Sequence, residues 1–262
     1  MPDKKAEKRS RVTSLTTPHG RLVYHERLPG EAALFPAAIE IAKNGRGENY
    51  AFSTTKKQDK KAGALRLLPS RRKTLSVSMV LQPPLHISRS GILWMIGGVA
   101  ACKVLERNSI CNPKIGWIGD VYDGERPLAI FHHAGQLQSS GFWDYLVLSV
   151  EISLDEDDYV DRLSDVVNRV FSNRNADLGD RIAEDFLAEF FALYEAFSVD
   201  GSFADEYNKR ILYKNWRAHT VIDGKTVRGR ADYMTESGQL VLRGRGKKKI
   251  LVTNLSSVKG LV

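Results

Sequence analysis

Hydrophobic and polar positions along the chain first predict alternating strands and helices, then a run of short strands. Residues 21–25 alternate and read as a first strand. Over residues 31–43, Ala33, Leu34, Ala37, Ala38, Ile41 and Ala42 fall on one helical stripe, which Asn44-Gly45 ends. A short strand at 50–54 leads into residues 56–73, a long basic stretch without a period that reads as a functional or mobile loop. Residues 75–81 read as a strand stopped by Pro83-Pro84, and 88–107 as the longest apolar helix, expected to be buried at the centre. A strand at 115–118, a hairpin turn over 120–126 around Asp123-Gly124, and a return strand at 128–132 follow. Residues 143–152 are apolar on both faces at their middle, as a central strand requires.

Helices are expected at 156–171, 180–198 and 203–213. The second carries Phe186, Leu187, Phe190, Phe191 and Tyr194, an aromatic stripe of core type. From about residue 216 short alternating segments take over, at 219–222, 226–234, 239–243 and 248–253, with Glu236-Ser237-Gly238 as a turn. They suggest a small SH3-like barrel. The expected fold is α/β (α+β), a mixed sheet with flanking helices plus this C-terminal barrel. Residues 1–18 read as a disordered basic tail, 19–214 as the α/β domain and 215–262 as the barrel.

Composition changes this picture little: 42% hydrophobic and 27% charged residues are ordinary for a globular chain of 262 residues. No apolar run approaches the roughly 18 residues needed to cross a bilayer. The longest, 92–105, is broken by Gly97-Gly98 and Lys103. The first residues lack the apolar core of a signal peptide. Cys102 and Cys111 are too few for a disulfide framework and have no metal-ligand spacing. No membrane partner and a cytoplasmic location follow as the default.

Charge is more informative. The net charge of +8 hides an acidic stretch, 151–206, with 16 Asp/Glu against 4 Arg, between basic stretches at 43–73 and 217–259. Such asymmetry weakens any argument for nucleic-acid binding by the whole protein. The run Arg243-Gly244-Arg245-Gly246-Lys247-Lys248-Lys249 could meet phosphates, but no aromatic interleaving or recognition helix supports base reading. His132-His133 are adjacent on a strand, so they point to opposite faces and one metal cannot easily use both. No metal site is expected.

One segment carries more. Ile115-Gly116-Trp117-Ile118-Gly119-Asp120-Val121, with Leu75-Ser76-Val77-Ser78-Met79-Val80-Leu81 before it and Gly224 to Val252 after it, resembles the biotin protein ligases. The similarity spans residues 20–262. It is carried by the order of elements, the Trp-x-x-Asp-Val segment and the Glu236-Ser237-Gly238-Gln239-Leu240 turn. The resemblance implies a biotin/lipoate-ligase-like fold, ATP, Mg and biotin as ligands, and a biotin or lipoyl carrier domain as partner. It makes Lys114 and Asp120 candidate catalytic residues. Lys56, Lys57, Lys60, Lys61 and Trp117 become candidate ligand or adenylate contacts. Trp117 and Asp120 also read as a buried indole and a turn-capping carboxylate.

The motifs that do the family's chemistry are altered. Its Ser-Thr-Asn helix start is Arg27-Leu28-Pro29-Gly30-Glu31 here, and its Gly-Arg-Gly-Arg phosphate loop has become a lysine-rich 56–61 without paired glycines. The lysine of its Lys-Trp-Pro-Asn-Asp-Val run is Gly116, with Lys114 two residues earlier on the same strand face. Its Gly-x-Gly-x-Asn strand reads Ser149-Val150-Glu151-Ile152-Ser153, which puts side chains where a ligand needs close approach. Three readings follow. One is a ligase-like protein with impaired or altered chemistry that binds a ligand or partner. The second is an active divergent ligase using the lysines through an acyl-adenylate, and the third is a nucleic-acid-associated basic protein. The acyl ligand, the acceptor and the oligomeric state are not legible in the sequence.

Overall fold

In this computed structural model, the described residues are 12–17, 20–25, 34–45, 50–57, 73–108, 110, 112–154, 175–197, 202–255 and 258–259. A hairpin opens the chain, β1 (Val12–Thr17) pairing antiparallel with β2 (Gly20–His25). The first of these strands lies in the segment expected to be a disordered tail; alternating Val12, Ser14 and Thr16 with Thr13, Leu15 and Thr17 supplies β-branched residues that favour extension.

Six further strands make the central sheet: β3 (Tyr50–Lys57), β4 (Lys73–Leu81), β5 (Lys114–Ile115), β6 (Val121–Asp123), β7 (Arg126–Leu137) and β8 (Trp143–Ser153). Their order is β3-β4-β8-β7-β6-β5, and every pairing is antiparallel where a mixed sheet was expected. Short hairpins join β6 to β7 and β7 to β8, which only antiparallel neighbours allow. The expected strand over 115–118 stops at Ile115. The backbone turns into a 3-10 helix at Trp117–Gly119, where Ile118 takes φ 59°.

Strand alternation sorts the sheet into two faces. Leu75, Val77, Met79 and Leu81 on β4, with Leu146, Leu148, Val150 and Ile152 on β8, join the main core. Against that face lies α2 (Gly91–Arg107), whose residues Gly91 through Cys102 are all buried. A second helix of this layer, α3 (Asn175–Ala196), adds Ile182, Ala183, Phe186, Leu187, Phe190 and Phe191. Glu189 of α3 ties the two helices by accepting from Arg107 and pairing with Lys103 at 3.4 Å. The opposite face is covered at one end by α1 (Leu34–Lys43), where Ala38 and Ala42 pack on Val80, Tyr145 and Val147. The helix expected over 156–171 lies outside the described residues. From Ile87 to Arg107 the chain is long and apolar enough by length and composition to cross a membrane, but 72% of that stretch is buried inside the protein.

After α4 (Ser202–Arg210) come β9 (Arg217–Ile222), β10 (Lys225–Met234), β11 (Leu240–Arg243) and β12 (Lys249–Val252). They form a four-stranded antiparallel sheet in the order β12-β11-β10-β9. Its two edge strands do not pair with each other, so the described residues form an open sheet rather than the closed barrel expected. Ala218, Ala231, Leu240, Leu242 and Val252 belong to the same core as α2 and the central sheet. Asn208 of α4 fastens the small sheet by exchanging two 2.8 Å hydrogen bonds with the backbone of Met234. Cys102 is buried in this core, which pushes its thiol up to about 12 and leaves it inert as a nucleophile.

The join between the two sheets depends on Gly91. A Cβ there would sit 1.9 Å from the carbonyl oxygen of Gly238, a backbone atom that cannot swing aside. Gly91→Ala should therefore lower stability by roughly 1–3 kcal/mol, the scale of core overpacking. Gly246→Asn, at a site with φ 64° and open space, should be near neutral. Urea midpoints of the two variants check this; equal midpoints would show that the two sheets can slide apart freely.

Candidate ligand site

The face of the central sheet that carries α1 changes character along its length. Beyond Val80 and Val147 it becomes polar. On β4 it presents Thr74, Ser76 and Ser78; on β8 Ser149, Glu151 and Ser153; on β7 Ile130 and His132. The register aligns Ser78, Ser149 and His132 in one row, and Ser76, Glu151 and Ile130 in the next. Thr74, Ser78, Ser149 and Ser153 are buried, and Glu151 is half-buried.

Buried hydroxyls need partners. Ser78 Oγ and Ser149 Oγ lie 2.7 Å apart, and Ser149 donates to the Val77 carbonyl at 3.2 Å, so Ser78 supplies the proton of the first bond. The pair stitches β4 to β8 where a glycine on β8 would leave the sheet surface bare. His132 lies under the start of α1, its ring 6.3 Å from that of Phe35. His133 points the other way, with its ring 4.3 Å from that of Trp94 on α2. Among the described residues no group of three or more His, Cys, Asp or Glu side chains could hold a metal ion.

At the β5 edge, Ile115 and Val121 face the main core. Lys114, Gly116 and Tyr122 therefore take the other face, because Gly116 is still extended (φ −81°, ψ −164°). The Tyr122 ring fills the space beside Gly116: a Cβ there would meet Tyr122 Cε2 at 2.5 Å. Trp117 turns away from this face and packs edge-on against Tyr213, with ring centroids 5.4 Å apart. Asp120 is buried, and its Oδ1 accepts from the Phe131 backbone N–H at 2.9 Å. Both residues hold the 3-10 turn in place. Tyr213 is itself anchored by a 3.0 Å hydroxyl contact with Tyr207, and burial raises both phenols above their ordinary range.

On the central sheet Lys56 and Lys57 are not placed beside Lys114. Lys56 and Lys57 end β3, opposite Thr74 and Lys73, while Lys114 lies on β5 at the other edge. Five inter-strand steps of about 4.8 Å separate the two edges, about 24 Å along the sheet. Lys60 and Lys61 lie outside the described residues. Sequence reasoning missed Tyr122 and Ser78, although both were within reach of it. Once Val121 faces the core, alternation sends Tyr122 to the face that Gly116 occupies, and Ser78 sits midway between apolar Val77 and Met79.

Solved structures share this arrangement over nearly the whole chain. A biotin protein ligase-like protein of unknown function from Silicibacter sp. TM1040 superposes with a TM-score of 0.67 at 13% identity, covering 94% of this chain and 99% of that one. The fold is that of the biotin protein ligases. The Aquifex aeolicus ligase in complex with biotin and ATP gives 0.60 at 14% identity, over 91% and 97% of the two chains. The Helicobacter pylori biotin acetyl coenzyme A carboxylase synthetase with bound biotinylated ATP gives 0.50 at 14% identity, over 88% and 98%. No family model and no curated protein matches the sequence.

Glu151 lies opposite Ser76 on the strand that the resemblance aligns with the ligases' glycines, and the Tyr122 ring lies against Gly116, where the resemblance implies their lysine. Gly116→Lys should therefore not restore that lysine but destabilise the fold by about 1–3 kcal/mol. Combining it with Tyr122→Ala should cost less than the two changes summed, by about 1 kcal/mol or more. A double-mutant cycle on urea midpoints checks the coupling. Additive losses would show that Tyr122 does not occupy the lysine's space.

Proposed function

We propose that this protein keeps the biotin-protein-ligase scaffold to bind a small ligand or a protein partner, and does not form an acyl-adenylate. Glu151 is the observation that carries the reading. The β4–β8–β7 register puts its carboxylate among Ser76, Ile130 and the Ser78–Ser149 pair, on the face the resembled ligases keep open with glycines. An ionised, uncompensated carboxylate there would repel a phosphate charge within about 4 Å by about 4 kcal/mol at an effective dielectric of about 20, a factor near a thousand in occupancy. Acyl-adenylate chemistry depends on positioning and charge stabilisation around a polyanion. A carboxylate in the cradle opposes both.

An active divergent ligase would use ATP, Mg and biotin or a related acid, with a biotin or lipoyl carrier domain as acceptor and the lysines at 56–61 and 114 as phosphate contacts. The separation of Lys56 and Lys57 from Lys114 weighs against a shared phosphate site. The two readings part on one assay. The proposal predicts that ATP-dependent transfer of labelled biotin or lipoate to a carrier domain stays at the no-enzyme rate. Transfer that falls when Lys60 and Lys61 are both changed to Gln would overturn it. Glu151→Gln should raise the affinity for a stable biotinyl-adenylate analogue by one to three powers of ten, read by calorimetry. No change would remove Glu151 from the account.

A further inference from the structure

The small C-terminal sheet holds a feature that no single stretch of sequence displays. Arg217 of β9 is the register partner of Arg230 on β10, Arg230 that of Arg243 on β11, and Arg243 that of Lys249 on β12. Four cations thus cross the sheet in one row. A second row pairs His219 with Arg228. All these side chains are exposed. Beside them lies an open groove of about 1180 Å³, whose rim adds Arg245 and Lys248. From 217 to 259 the chain has ten Lys/Arg against three Asp/Glu, so these 43 residues hold +7 of the net +8.

Like charges directly opposite one another on a sheet destabilise it, and little within the protein relieves this row. Among the described residues, the carboxylate paired with it is Asp232, 3.9 Å from Arg243 Nε. The other contacts are to neutral groups: Arg230 donates to the Asn215 carbonyl at 2.8 Å, Arg243 to the Asn215 side chain, and Lys249 lies over the Tyr233 ring. Arg217 and Arg228 have no ion pair among the described residues.

We propose that this face binds the phosphate backbone of a nucleic acid without reading its sequence. The row's dimensions favour a polymer over a single anion. One small anion is held by donors that converge within hydrogen-bond reach, whereas these cations are spaced about 4.8 Å per strand, about 14 Å from end to end. Duplex DNA presents one negative charge per about 1.7 Å of its axis, a spacing that meets a row of this length several times over. Arginine outnumbers lysine in the row, and its planar fork suits phosphate oxygens. Among the described residues no α-helix lines this face, so binding depends on charge. The site is separate from the polar face of the central sheet and stands whether or not that face binds a ligand.

Fluorescence anisotropy with the full chain and labelled 20-nucleotide duplex and single-stranded DNA and RNA, between 50 and 200 mM KCl, tests this. Five engaged cations, the row and Arg228, predict a slope of log K against log salt of about −4.5 on duplex, about a five-hundredfold loss of affinity across that range. Arg217→Gln and Arg228→Gln, which remove no ion pair among the described residues, should each flatten the slope by about 0.9. Arg230→Gln and Arg243→Gln should do the same, with urea midpoints separating lost contacts from lost fold. Lys43→Gln, on α1, should leave both slope and affinity unchanged. Failure of the wild-type chain to bind at 50 mM salt would overturn the proposal, as would an unchanged slope in Arg217→Gln/Arg228→Gln. So would salt-sensitive self-association abolished by the same double variant, which would assign the row to the acidic 151–206 stretch of a second copy.

Discussion

The close approach of α2 to three different neighbours is the constraint on which the remaining structure depends. At Gly91 the helix meets the Gly238 turn of the small sheet, at Gly97 it meets the Phe131 ring of β7, and at Gly98 it meets Ile115 and the backbone of Gly119. Each contact is too tight for a Cβ to be added without movement. Together they bring the β5 edge, the 3-10 turn and the C-terminal sheet onto one buried helix. The cost is conformational, since glycine in a helix interior is worth up to about 1 kcal/mol less than alanine. Burial on every side of α2 offsets it: Ile92, Leu93, Met95, Ile96 and Val99 are all fully buried. The position of Trp117, Asp120 and Gly116 follows from this packing more than from their own preferences.

That dependence explains what the sequence shows and what it conceals. Strands with strong alternation or continuous apolar runs, β4, β8 and β10, are legible because the two-residue period reports burial directly. The apolar helix α2 is legible for the same reason. The stretch after Ile115 is not. Trp117 and Ile118 have strand-forming side chains, yet Ile118 adopts a positive φ that β-branched residues avoid. Tertiary contacts override propensity there: Trp117 is fixed on Tyr213, and Gly119 is pressed against α2. Open sheet and closed barrel differ only in whether two edge strands meet, and local periodicity carries no information about that.

The candidate site divides in the same way. Its altered residues could be named from the resemblance, but which face each one takes is a property of register. Glu151 matters because β4 and β7 set Ser76 and Ile130 beside it, 75 and 21 residues away in the chain. The cationic row is a stronger case. Arg217, Arg230, Arg243 and Lys249 follow one another at intervals of up to 13 residues and acquire a common line only through three antiparallel pairings. The most evident basic run, Arg243 to Lys249, contributes only its two ends to that line. The scaffold shared with solved structures at 13–15% identity thus leaves the character of this face to the chain's own residues and their register.

The central proposal is that the sheet face around Glu151, Ser149 and Tyr122 does not admit an acyl-adenylate while the scaffold is intact. Thermal unfolding with biotin, lipoate and octanoate, each with and without Mg²⁺·ATP, tests it most directly. A ligand at 100 times its dissociation constant adds about 2.7 kcal/mol to the folded state, several degrees for a chain of this size. The account predicts no increment from ATP with any of the three acids. A shift with one acid that grows when Mg²⁺·ATP is added would contradict it.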